Sequence, residues 1–201
     1  MRITINFLFF TLGNQINYHR CDLFVMPPFD LQPTLQNDLL LLRPLQSDDL
    51  EALYAVASDP LIWEQHPVKN RCERPGFEAF FAEALDSKGA FLVIDKKSGA
   101  AIGSTRFQPV KGIPNAVEIG WTFLARPYWG GVYNRQMKQL MLDYAFQFVD
   151  CVLLYINEHN LRSQRAAEKI GGRRMEVLDG KVLETKPLST VIYGIGKAEN
   201  R

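Results

Sequence analysis

The stretch that most constrains the fold runs from Ala116 to Phe148, where an alternating segment meets two glycines and then an amphipathic segment. Val117, Ile119, Trp121 and Phe123 alternate with Glu118, Gly120 and Thr122, the two-residue period of a strand whose first set shares one face. Met137, Leu140, Met141, Tyr144, Ala145 and Phe148 recur three or four residues apart and form one apolar helical stripe. Between them, Trp129-Gly-Gly-Val-Tyr-Asn134 carries two glycines, which allow a sharp turn and close backbone approach to a ligand. Free N–H groups at the N-terminus of the following helix then favour an anion. Arg135 and Lys138 stand near that terminus, where a cation opposes the helix dipole by roughly 0.3 to 1 kcal/mol and a bound phosphate reverses the sign. The alternative for the same residues is an ordinary loop followed by two solvated cations.

The remaining segments supply a sheet around this unit. Leu39 to Leu45 is a short apolar strand that Pro44 ends or places at an edge. Ser47 suits an N-cap, with Asp48 and Asp49 in the first turn and Leu50, Leu53, Tyr54 and Ala57 on one face of a helix that stops at Asp59-Pro60. Arg74 to Leu85 is a second helix with Phe77, Phe80, Phe81 and Ala84 inward; such a pair lids a site or simply packs. Ala90–Asp95 and Ala101–Phe107 flank turn residues as a hairpin, and Val152–Ile156 is a buried strand reached from the central strand by a right-handed helical crossover. Asn160 opens a short helix that Gly171 closes, and a hairpin around Asp179-Gly180 completes the chain. The expected fold is a mixed α/β (α+β) sheet, mostly antiparallel and flanked by helices. The expected domain spans 37–196, after a poorly ordered or loosely packed extension over 1–36 and before a tail over 197–201.

A chain of 201 residues with 47% hydrophobic and 22% charged residues suits one core. Its net charge of +1 offers no general field for nucleic acid or an acidic membrane, which turns attention to a small molecule or a peptide. Cys21, Cys72 and Cys151 form no pair motif, and His19, His66 and His159 have no ligand spacing, so neither disulfides nor a metal site is expected and a reducing cytoplasm fits. The apolar run Ile3–Leu12 is broken by Asn6 and lacks a convincing cleavage site, so an upstream extension is favoured over a secretion signal, with Met26 as an alternative start.

Leu42-Arg-Pro-Leu45 with Asp48-Asp49, Asp59-Pro60 and Trp63, Ile102-Gly103, Glu118-Ile-Gly-Trp121, Pro127-Tyr-Trp-Gly130, Asn160-Leu-Arg-Ser163 and Glu168-Lys-Ile-Gly171 together resemble the GNAT family of acyl-CoA-dependent N-acetyltransferases. The similarity spans about Leu39 to Ile195 and is nearest the branch that includes the ribosomal-protein N-terminal acetyltransferases. It implies acetyl-CoA, or another short acyl-CoA, as co-substrate, a primary amine of a small molecule or a protein N-terminus as acceptor, and a monomer or homodimer. A catalytically silent acyl-CoA-binding or regulatory domain is the alternative, because the family pattern has glycine at Val132, glycine or alanine at Asn134, and often a tyrosine at Ala167.

By the same resemblance, the pyrophosphate meets backbone donors of Gly130, Gly131, Val132, Tyr133, Asn134 and Arg135, and the pantetheine arm meets Phe123, Leu124 and Ala125 with Asn160. Glu118 is the candidate base for the amine, directly or through water; its other role is a salt-bridged carboxylate on the sheet. Ser163 is the candidate for relaying a proton to the departing thiolate or holding the thiol, although such a thiolate needs little help. Trp63, His66 and Trp121 are candidates for the acceptor pocket, with core packing as the plainer role for Trp121.

Overall fold

A computed structural model describes residues 2–6, 20–24, 28–178, 181–183 and 189–197. Met26, the turn at Asp179-Gly180 and the tail from residue 198 lie outside the described residues. The strands are β1 (Arg2–Asn6), β2 (Arg20–Phe24), β3 (Leu35–Gln36), β4 (Leu40–Pro44), β5 (Ala90–Asp95), β6 (Ala101–Pro109), β7 (Ala116–Leu124), β8 (Cys151–Asn157), β9 (Arg173–Arg174), β10 (Val177–Leu178), β11 (Lys181–Val182) and β12 (Thr190–Gly196). The α-helices are α1 (Leu50–Ala57), α2 (Arg74–Asp86), α3 (Val132–Ala145) and α4 (Leu161–Glu168).

An eight-stranded sheet runs in the order β3-β4-β5-β6-β7-β8-β12-β9. Among the described residues only the β7–β8 pair is parallel, as a strand–helix–strand crossover through α3 requires. Met137, Met141, Leu142 and Ala145 of α3 and Ala167 of α4 bury one sheet face with Phe107, Val117 and Ile119. Leu53, Ala57, Phe77, Phe80, Phe81 and Ala84 of α1 and α2 bury the other with Leu92 and Phe123. Within the stretch expected as an extension, Phe29 lies against Phe107, Tyr144 and Phe148 at 5.3, 5.4 and 5.3 Å. The Tyr144 hydroxyl donates to the Asp30 carbonyl at 2.9 Å, tying that segment over α3.

Two irregularities shape the centre. Strands β7 and β8 pair only at Ala116–Cys151, Val117–Val152 and Glu118–Leu153, although β7 continues to Leu124 and β8 to Asn157. The two strands therefore part beyond Glu118. On its other edge, β7 pairs Gly120 with Arg106 and Phe123 with Ser104, so Trp121 and Thr122 together face Thr105 in a bulge. Trp121 takes φ of 50°, a left-handed conformation rare outside glycine.

The bulge corrects the expected alternation. One extra residue shifts side-chain parity, so Val117, Ile119 and Leu124 pack on the α3 face while Trp121 and Phe123 join the α1–α2 face. The start of α1 also differs by one turn. Residues Ser47–Asp49 form a short 3-10 helix, and the Asp49 carboxylate accepts from the Gln46 amide at 2.8 Å and from Arg43 at 2.6 Å.

Candidate active site

The N-terminus of α3 opens beside the mouth of the splay. Gly130 turns the chain with φ of 69°, and Gly131 is the N-cap, with no side chain capping the first amides and no acidic residue in the first turn. The Val132, Tyr133, Asn134 and Arg135 amides head a helix of 14 residues, the arrangement that suits a phosphate. A Cβ at Gly130 or Gly131 would meet nothing within 4 Å, so the approach is open. Val132 is 46% exposed. The Tyr133 ring leans on Tyr128 at 4.7 Å, and its hydroxyl donates to Asp95 at 3.2 Å.

The second cation near this terminus is elsewhere than expected. Lys138 is buried on the sheet side of α3, where its Nζ donates to Thr122 Oγ1 at 2.6 Å and Thr105 Oγ1 at 3.3 Å. Burial pulls its pKa down to about 7. The Thr122 hydroxyl also reaches the Gly120 carbonyl at 3.3 Å, so Lys138 fastens the bulge from beneath and does not line the anion site.

Alternation also narrows the backbone groups expected to meet an extended ligand. Ala125 donates to Ile102 at 2.8 Å, and Phe123 is registered with Ser104; both peptide groups therefore turn toward β6. Leu124 turns the other way, toward the splay, where its carbonyl accepts the Trp129 indole N–H at 2.8 Å. Asn160 caps α4 by accepting the Ser163 amide at 3.1 Å, which brings both polar side chains to the end of β8. The Arg162 guanidinium stacks on Trp129 at 4.0 Å and donates to the Ile62 carbonyl at 2.9 Å, and its amide donates to Gln65 at 3.0 Å. These contacts draw the α3 loop, α4 and the 60–66 segment together over the splay.

Glu118 marks the apex, as the last β7 residue paired with β8, and it is 4% exposed. A Cβ on Gly120 would stand 3.0 Å from its Oε1, so glycine at that position leaves the carboxylate its room. Glu118 shares the α1–α2 face with Arg106, whose pKa burial lowers while the charges of Glu83 and Glu118 support it. Arg106 stacks on the Trp121 ring at 4.4 Å.

Trp63 is core: it is 3% exposed, donates its indole N–H to Ala57 at 2.7 Å and packs on Phe123 at 5.1 Å. His66 lies beside it. Arg71 can only donate, so His66 Nε2 accepts from Arg71 Nη1 at 3.2 Å, and His66 Nδ1 lies 3.0 Å from the Val68 amide and 3.1 Å from the Val68 carbonyl. Burial, reinforced by Arg71, lowers the His66 pKa to about 4, so the ring is neutral at pH 7. Arg71 itself is pulled down to about 10 by burial and stacks on Phe80 at 4.4 Å. A cleft of about 480 Å³ opens here, lined by Glu64, Gln65, His66, Asn157, His159 and Ser189 among others.

Arg162 thus joins the start of α4 to Trp129 of the α3 loop and to the 60–66 segment, while Glu118 and Trp121 share the α1–α2 face of the sheet with Arg106. Sequence reasoning missed Arg71, Arg106, Arg162 and the burial of Lys138. For Lys138 a signal existed, since it stands three, four and seven residues before Met141, Leu142 and Ala145. Among the described residues no three His, Cys, Asp or Glu side chains gather as a metal site, and no helix is long and apolar enough to cross a membrane.

The parted parallel strands and the uncapped helix between them are the geometry that the comparisons now place in a family. A family model described as the acetyltransferase (GNAT) domain matches residues 40–173, more than half of the chain, and the chain belongs to that family. No curated protein matches the sequence. Among solved structures, a GCN5-related N-acetyltransferase from Brucella melitensis is 21% identical with a TM-score of 0.71, covering 86% of this chain and 82% of its own. A spermidine N-acetyltransferase from Vibrio cholerae, solved with CoA and spermine, is 17% identical with a TM-score of 0.56, covering 82% of this chain and 99% of its own. A putative ribosomal-protein-serine acetyltransferase from Vibrio cholerae is 14% identical with a TM-score of 0.62, covering 81% and 97%. At these identities the likeness is one of fold.

Proposed function

We propose that the chain transfers an acetyl group, or another short acyl group, from its CoA thioester to a primary amine of a small molecule or a protein N-terminus. The observation that carries this is the uncapped α3 N-terminus beside the parting of β7 and β8, with Glu118 at its apex. The amides from Gly131 to Arg135 hold the pyrophosphate, the Leu124 edge of β7 meets the pantetheine arm, and Asn160 and Ser163 flank the sulfur end. Glu118 takes a proton from the ammonium, directly or through one water. The amine nitrogen then bonds to the thioester carbonyl, the carbon–sulfur bond breaks as the CoA thiolate leaves, and the proton shed by the new amide nitrogen passes through Ser163 to the thiolate.

The ribosomal-protein branch is one source of acceptor, supported by the sequence motifs and by the fold likeness to the putative ribosomal-protein-serine enzyme. A cytoplasmic monomer or homodimer with neither nucleic acid nor membrane as partner fits the net charge of +1. The second reading is an acyl-CoA-binding domain without turnover, favoured by Ala167, whose 2% exposure leaves α4 with a core methyl and no acid there. Purified protein, acetyl-CoA and a panel of amines and peptides with free N-termini, followed by release of free thiol, separate the two. Turnover above the hydrolysis background supports transfer; binding of acetyl-CoA with no turnover across the panel supports the silent domain.

A further inference from the structure

The α1–α2 face of the sheet holds a cation whose hydrogen bonds are incomplete. Arg106 is 4% exposed, yet its Nε and Nη2 have no hydrogen-bond partner among the described residues. A buried donor left unmade costs free energy, so such a group calls for an explanation. These two atoms are not an arbitrary pair: Nε–H and the adjacent Nη2–H form one edge of the guanidinium, the fork that meets both oxygens of a carboxylate. Glu83 and Glu118 lend Arg106 charge compensation, but neither meets this edge.

The surroundings fix what chemistry can use the edge. Arg106 is paired with Gly120, two residues from Glu118 on the same β7 strand, and both side chains lie on the α1–α2 face. A cation and a carboxylate therefore stand as diagonal neighbours on adjacent strands, a separation that side chains bridge readily. Trp121, half-buried and held in its left-handed conformation by the bulge, covers the guanidinium at 4.4 Å. Arg71 adds a second, half-buried guanidinium close enough to feel the charge of Arg106, and it connects through His66 to the wall of the cleft. A polyamine brings only positive charge to such a place.

We infer that the acceptor is a zwitterion of the amino-acid type, whose carboxylate docks on the Nε–Nη2 edge of Arg106 while its amine is presented to Glu118. This rests on the transfer reading for the amine end, but the carboxylate subsite stands on the orphaned guanidinium edge alone. Trp121 stays over the guanidinium while the carboxylate meets its Nε–Nη2 edge, and Arg71 supplies additional field. The carboxylate itself is not consumed; only the amine forms a new bond.

The test compares each common L-amino acid with its carboxamide and, where one exists, its decarboxylated amine, with spermidine as a carboxylate-free control. Thiol release with acetyl-CoA is measured in parallel with calorimetric binding to protein saturated with CoA. For the accepted side chain, kcat/KM and affinity fall on the order of 10- to 100-fold from acid to amide, the size of a charged hydrogen-bonded pair. Arg106→Gln collapses that gap with CoA affinity intact, and Arg106→Lys, which keeps the charge without the fork, recovers only part of it. Should Arg106→Gln fail to fold, the acid-versus-amide comparison on the unaltered protein still decides. Selective binding of the acid without turnover upholds the subsite and sinks the transfer reading. Equal binding and equal turnover of acid, amide and amine, or a preference for spermidine, overturns the inference.

Discussion

The two faces of β7 treat buried charge in opposite ways. On the α3 face one ammonium, Lys138, is held by the hydroxyls of Thr122 and Thr105, and burial alone accounts for its lowered pKa. On the α1–α2 face, Arg106 and Arg71 sit with Glu118, with aromatic rings stacked on both guanidiniums and His66 at the end of the row. The first arrangement fastens a strand; the second gathers charged and aromatic groups where the proposed acceptor would lie. The bulge at Trp121 divides them, because the extra residue sends Thr122 to one side and Trp121 to the other.

If that division holds, a change on the α1–α2 face alters turnover and a change on the α3 face alters stability first. The largest effect belongs to Glu118→Gln, which is expected to lower kcat by about 10²- to 10⁴-fold, the usual contribution of a general base. CoA affinity by calorimetry stays near the parent value. An unchanged kcat removes Glu118 from the chemistry and erases the contrast between the faces.

Next in size is Lys138→Met, which removes a buried charge lacking a carboxylate partner and raises unfolding stability by roughly 1 to 3 kcal/mol at pH 7. Chemical denaturation measures it. The pH dependence sharpens the point. Lys138 has a folded pKa of about 7 against an ordinary 10.5, so between those values the unfolded chain binds more protons and stability climbs with pH. Below 7 both states are protonated and the penalty is complete. The Met variant loses this climb; a variant that is less stable and keeps the climb contradicts the assignment of the buried ammonium.

His66 gives a smaller signal on the other face. Its pKa is lowered to about 4 from 6.5, so stability falls as pH drops through that window, by at most roughly 3 kcal/mol. NMR titration of the ring checks it, and a midpoint near 6.5 would mean that the row from Arg71 to Arg106 is open to water. The smallest effect is Arg135→Glu at the head of α3, which weakens CoA binding about 2- to 5-fold at low salt, as a like charge near a phosphate site does.

Most of the fold was legible in residue order. The hairpin from Ala90 to Phe107, the four inward residues of α2 and the cap at Asn160 follow from period, turn residues and cap chemistry, and each is in place. The bulge was not, because an extra residue on a strand leaves period and composition nearly untouched; only backbone register reveals that Phe123 and Leu124 exchange faces. Arg106 was hidden for a related reason. Strand β6 is buried on both faces through most of its length, so no alternation sets its arginine apart. Lys138 was legible but misassigned, since its nearness to the helix start outweighed its spacing to Met141 and Ala145. The turn and helix start at Gly130 and Gly131 were therefore readable because they are backbone features, and what stayed obscure is which side chains share a face.

The central claim is that the head of α3 and the parting of β7 from β8 receive an acyl-CoA. Calorimetric titration with CoA and with pantetheine, which lacks the pyrophosphate, tests it most directly. The account predicts saturable CoA binding at micromolar to sub-millimolar concentration, competition by acetyl-CoA, and much weaker binding of pantetheine. Flat heats with CoA at millimolar concentration, or equal affinity for the two ligands, would contradict it.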